Sequence, residues 1–200
     1  MLQNLILFYV IVLVMLKGPF LDKNFIGSIN NYDKAEIILL GLPSDCTCSN
    51  RPGTRFAPQL IRVESVGIET YSPYFDFDIV DKPFFDSGDL ELPFGNPEKT
   101  LNIIEENVGQ IYEDNKKILG VGGEHLLTLA EIKAIHNFYP DLAVIQFDAH
   151  TDLRKEYLGE NLTHSGVMYQ IGKIIGFDSI AQIGIRSGER DEFLMMKKFD

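Results

Sequence analysis

The feature that most limits how this chain can fold is a set of short, nearly continuous apolar runs. Residues 35–42 read AEIILLGL, residues 117–121 KILGV, residues 142–147 LAVIQF and residues 180–185 IAQIGI. Each has strand length, and a continuously apolar strand needs cover on both faces, as in a parallel sheet flanked by helices. Helical periods fall between them. Asn96-Pro97-Glu98 combines a capping Asn, a Pro at the first position and an acid in the first turn. Leu101, Ile104, Val108 and Ile111 then follow at i, i+3, i+7 and i+10. Leu129, Ile132 and Ile135 mark a helix over 126–138, residues 165–175 form another, and Ala57-Pro58 opens a shorter one. Residues 71–89 are aromatic and acidic, with Val80, Phe84 and Phe85 as strand material. Strand alternating with helix predicts a layered α/β fold around a parallel sheet. Ligands in such sheets bind at the carboxyl ends of the strands.

Composition narrows the partners. The 200 residues, 45% hydrophobic and 24% charged, suit one globular domain or slightly more, not a disordered chain, fibre or coiled coil. Eighteen basic against 29 acidic residues give a net charge of −11, which argues against binding a nucleic-acid backbone and favours cationic or metal-bound partners. Cys46 and Cys48 are the two cysteines, too few for a disulfide framework or a Cys-rich zinc module, so a reducing cytoplasm is expected. Residues 5–16 (LILFYVIVLVML) are too few for a bilayer span of roughly 20 residues. Three readings stand for them: a weak secretion or anchor signal, a buried strand, or sequence upstream of a true start at Met15. The last is favoured, because ordinary soluble sequence follows Met15. Residues 1–14 are thus expected to be an extension to a domain over 15–200, with no stable membrane association.

Two strand ends carry the chemistry. Gly122-Gly123-Glu124-His125 follows one strand, and Asp148-Ala149-His150-Thr151-Asp152 follows another. In an extended segment Asp148, His150 and Asp152 share a face. Crowded carboxylates repel, and a divalent cation relieves them. Carboxylates with imidazole and no thiolate suit manganese or another hard to borderline metal. His125 is positioned to complete the set. A solvated turn is the plainer alternative.

Those two motifs, 23 positions apart from His125 to Asp148, resemble the ureohydrolase family of arginases, agmatinases and relatives. Arg51-Pro52-Gly53-Thr54-Arg55-Phe56-Ala57-Pro58, Asp86-Ser87-Gly88-Asp89 and Gln182-Ile183-Gly184-Ile185-Arg186 resemble further family segments, in family order. The resemblance implies a three-layer α-β-α fold with a mostly parallel sheet, incomplete at the C-terminus. It also implies two Mn2+ ions hydrolysing a guanidinium compound to urea and an amine. Carried over by position, His125 and Asp152 each bind one metal, Asp148 bridges both, and His150 binds the second. A bridging water then ionises near neutral pH. His164 takes the place of a histidine that passes a proton to the departing amine. The run DLRKEYLGE (152–160) is similar to agmatinases, implying agmatine as substrate and putrescine as product. Guanidinobutyrate and formiminoglutamate are the alternative substrates. Symmetric homo-oligomers are implied as well.

The family also has two aspartates in a later Ser-x-Asp-x-Asp segment and a later glutamate at the guanidinium. Neither lies before Asp200, so four of six ligands are expected here, and this chain alone is expected to show little activity. A non-catalytic remnant or a partner subunit is the rival expectation. Asp76-Phe77-Asp78 is read as an exposed acidic strand edge, Cys46-Thr47-Cys48 as a loop near the site mouth, and His136 as a helix-surface residue. Gly120-Val121-Gly122 lacks the third glycine of a dinucleotide fingerprint. Asn161-Leu162-Thr163 is a sequon without consequence in a cytoplasm.

Overall fold

The computed structural model describes residues 24–199. The proposed extension over residues 1–14 and the start at Met15 lie outside the described residues. Among the described residues no helix is long and apolar enough to cross a membrane.

Strand β1 (Ile37–Leu42) buries five of its six residues, as its continuous apolar run requires. After it come α1 (Ala57–Ser65), a two-residue antiparallel pair β2 (Tyr71–Ser72) and β3 (Phe77–Asp78), then β4 (Phe84–Asp89). Helix α2 (Pro97–Glu113) precedes β5 (Lys117–Gly122), α3 (Thr128–His136) and β6 (Val144–Phe147). The chain ends with α4 (Val167–Ile175), β7 (Ile180–Ile183) and α5 (Arg190–Met196). Strand β1 pairs in parallel with β4 on one side and β5 on the other, and β6 pairs in parallel with β7. The expected parallel sheet is therefore present in two pieces, β4-β1-β5 and β6-β7.

Local signals account for most of these elements. The Asn96 side chain accepts from the Lys99 backbone N–H at 2.9 Å, capping α2 as read from the sequence. Leu101, Ile104, Val108 and Ile111 are the buried stripe of that helix. Burying each contributes roughly 1.5–3 kcal/mol. Helix α2 packs on α3, and α3 on α4, so one helical layer covers the core. The opposite face of the smaller sheet is open: Ile145, Phe147 and Ile183 are exposed, Phe147 to 78%.

The helices expected over 126–138 and 165–175 each begin with a turn of 3-10 helix, His125–Leu127 and His164–Gly166. Val80 lies in a 3-10 turn, not a strand. The exposed-edge reading holds for Asp76, in the turn before β3, and only in part for Asp78, which is half-buried in β3. His136 departs from its surface reading: it is half-buried at the end of α3, and its Nδ1 is buried without a partner.

A buried polar tie joins α1 to β4. Arg62 of α1 donates from Nε and Nη2 to Asp86 of β4 and also meets Asp89. Asp86 further accepts from the Phe25 and Gly88 backbone N–H groups. Burial alone would raise the Asp86 carboxyl; Arg62 and the two amides outweigh it and hold it below the usual carboxylate range.

Candidate metal centre

The site forms where the two sheet pieces end. Beyond β1 the chain turns through Pro43 and Ser44, and beyond β5 it passes Gly123. These loops touch closely. The Gly123 N–H donates to the Leu42 carbonyl, and the Glu124 N–H to the Ser44 carbonyl. A Cβ on Gly123 would stand 2.0 Å from the Ser44 carbonyl oxygen, so only glycine fits there. This contact sets the position from which His125 projects.

Beyond β6 the chain remains hydrogen-bonded to the segment beyond β7. The Asp148 N–H donates to the Ile183 carbonyl and the Thr151 N–H to the Ser187 carbonyl. At Asp152 the backbone enters the left-handed region, with φ 49°. The expected alternation therefore stops short of Asp152. Its side chain reaches the site through that turn, and its carbonyl accepts from the Met168 and Tyr169 N–H groups at the start of α4.

His125, Asp148 and Asp152 converge, each offering a ligand atom within 4.8 Å of the others. His125 Nδ1 lies 2.7 Å from Asp152 Oδ2 and 3.6 Å from Asp148 Oδ2. His150 stands just outside this group, its side chain 63% exposed, with Nδ1 3.3 Å from Asp148 Oδ1. Asp148 thus faces one histidine with each carboxylate oxygen. Burial would raise its carboxyl; the His150 N–H, the Gln146 side chain and nearby His125 outweigh that and hold it low. Two carboxylates and imidazole, without a thiol, form a donor set that fits a hard or borderline divalent cation.

His164 lines the same open cleft of about 640 Å³, together with Tyr157 and Arg154. Cys48 lines it too, which agrees with the loop placement expected for Cys46-Thr47-Cys48.

Several supporting residues lie outside the two strand-end motifs. Glu192 of α5 is buried and accepts from Thr151 Oγ1 at 2.7 Å and the Leu153 N–H at 2.9 Å, the neighbours of Asp152 on both sides. Gln146 donates to Asp148 Oδ2 and to the His150 carbonyl. Gln182, its register partner on β7, donates to Gln146 Oε1 and the Thr151 carbonyl. Asp45, also buried, accepts from the Gly53 and Arg55 N–H groups and pairs with the Arg55 guanidinium, closing the Arg51-Pro52-Gly53 loop. The period-2 spacing of polar Gln146 and Asp148 after an apolar run was the signal available for Gln146.

Fold and site together define an α/β protein with parallel strands and a carboxylate–imidazole cluster at their carboxyl ends. An arginase-family profile matches residues 35–200, and the chain belongs to the arginase family. It is 50% identical over 176 residues to an agmatinase of Bacillus subtilis and 46% identical to one of Halalkalibacterium halodurans, covering 88% of this chain and 61% of each relative. The crystal structure of agmatine ureohydrolase of Thermoplasma volcanium superposes with a TM-score of 0.80 at 32% identity, over 87% of this chain and 58% of that one. The chain therefore spans about three-fifths of the length of these relatives.

Proposed function

We propose that this chain carries the larger part of an agmatinase site, which hydrolyses agmatine to putrescine and urea with two Mn2+ ions. The observation that carries this reading is the convergence of His125, Asp148 and Asp152, in a chain half identical to an agmatinase. His125 and Asp152 would each hold one ion, and His150 the second. Asp148 would bridge, a role supported by its two oxygens facing two different histidines. When bound, such an ion pair supplies a nucleophile near neutral pH. The chain's own residues do the rest. Gln146 and the His150 N–H orient Asp148, and His164 takes up a proton and passes it to the departing amine. The net charge of −11 suits a doubly cationic substrate. Unpaired Cys46 and Cys48 are consistent with a cytoplasmic setting, and the open apolar face of the smaller sheet with a homo-oligomer.

Two measurements test the reading. Manganese titration followed by electron paramagnetic resonance should show binding that Asp152→Asn removes; undiminished binding in that variant would refute the ligand set. Hydrolysis by the full-length protein with Mn2+, read as urea from agmatine, arginine and guanidinobutyrate and as formamide from formiminoglutamate, should favour agmatine. Preference for another of these compounds would overturn the substrate.

A further inference from the structure

We infer that Thr47, locked by buried Glu124, fixes the tautomer of His164, placing the proton on Nδ1 and leaving Nε2 as the bare nitrogen. His164 matters through the function proposed above, but the tautomer rests on the geometry alone.

The argument is a count of donors and acceptors. Glu124 is 6% exposed and receives donors from one loop: the Thr47 N–H at 3.1 Å, the Thr47 hydroxyl at 2.6 Å and the Cys46 thiol at 3.6 Å. A hydroxyl has one hydrogen and two lone pairs. The Thr47 hydrogen is committed to Glu124 Oε2, the shortest of these contacts. Its oxygen must then act as acceptor toward everything else. One lone pair takes the His164 backbone N–H at 3.0 Å. The other faces His164 Nδ1 at 3.4 Å. With the hydroxyl hydrogen turned away, Nδ1 gains from that contact only as a donor. A neutral imidazole carries one ring proton, so Nε2 is left with its lone pair.

The consequence is directional. A histidine that accepts a proton on Nε2 and later returns it needs that nitrogen bare in its resting neutral form. Thr47 is here a positioning residue: it holds the His164 backbone and ring from the same oxygen. Glu124 acts one step further back, by deciding which way the hydroxyl points. The sequence spreads this device over three segments, 46–47, 124 and 164, each too short to signal it.

The test is nitrogen-15 NMR of the imidazole rings, at a pH well above the ordinary histidine pKa of about 6.5. The chain has four histidines, so four ring systems are to be assigned, with His164→Gln identifying one. The expected wild-type spectrum shows a protonated Nδ1 and a pyridine-like Nε2 on His164. Thr47→Ser should retain that pattern. Thr47→Val, which keeps the shape but removes the acceptor, should exchange the two shifts, because an unconstrained imidazole prefers the proton on Nε2. A wild-type His164 already protonated on Nε2 would overturn the inference, as would an unchanged pattern in a folded Thr47→Val chain. If Thr47→Val does not fold, the wild-type and Thr47→Ser spectra decide alone. Absence of urea release beside an intact Nδ1–H signature would count against the proposed function and not against this assignment.

Discussion

At the scale of single residues, the site depends on carboxylates outside the His125–Asp148–Asp152 cluster. Glu192 holds Thr151 and Leu153, so it fixes the turn that aims Asp152. Glu192→Ala would leave buried donors without an acceptor and is expected to cost about 3 kcal/mol in urea unfolding. It should also weaken Mn2+ binding roughly 10–100-fold, the usual effect of losing a group that orients a ligand. Arg62 and Asp86 form a second such pair, where removing one partner strands a buried charge. Arg62→Leu is expected to destabilise by about 3–5 kcal/mol. The pH dependence has a definite sign. The Asp86 carboxyl is held low in the folded state, so its contribution is present above the unfolded pKa of about 3.9 and is lost as pH falls through the lower folded value. Unfolding midpoints measured down to about pH 2.5 should fall more steeply for the wild type than for Asp86→Asn.

At the scale of elements, legibility followed the range of the forces. Helix α2 was readable because its cap, its proline and its apolar stripe all act within a turn or two. Strand β1 was readable from a continuous apolar run. Helix α5 was not foreseen. Its capping residue is Glu189, outside the usual Ser, Thr, Asp and Asn, and its anchor is the distant bond from Glu192 to Thr151. The cluster was legible as residue types after strands, since α/β sheets place ligands there. Its geometry was not, because the left-handed backbone at Asp152 and the Thr47–Glu124 contact are tertiary. The β1 and β5 loops offer a test at this scale. Gly123→Ala would push the Ser44 carbonyl away. It is expected to cost about 1–3 kcal/mol and to displace His125, lowering Mn2+ affinity together with the unfolding midpoint.

At the scale of the molecule, the division of the sheet meets the position of the cluster. His125 follows β5 of the larger piece, whereas Asp148 and Asp152 follow β6 of the smaller one. A cation held by all three would link the two pieces, and binding only the folded form raises stability by mass action. At an ion concentration 100 times its Kd the gain is about 2.7 kcal/mol. That corresponds to a Tm higher by roughly 5–10 °C for a chain of this size, which a chelator should abolish in differential scanning calorimetry. The same link has a consequence for hydrogen exchange. Without the cation, the amides of β6 and β7 can open apart from β1, which has a paired strand on each side. With it, both pieces belong to one cooperative unit, and their slowest amides should share a single opening free energy. Ion occupancy would then be recorded in the backbone itself, as the merging of two protection classes into one.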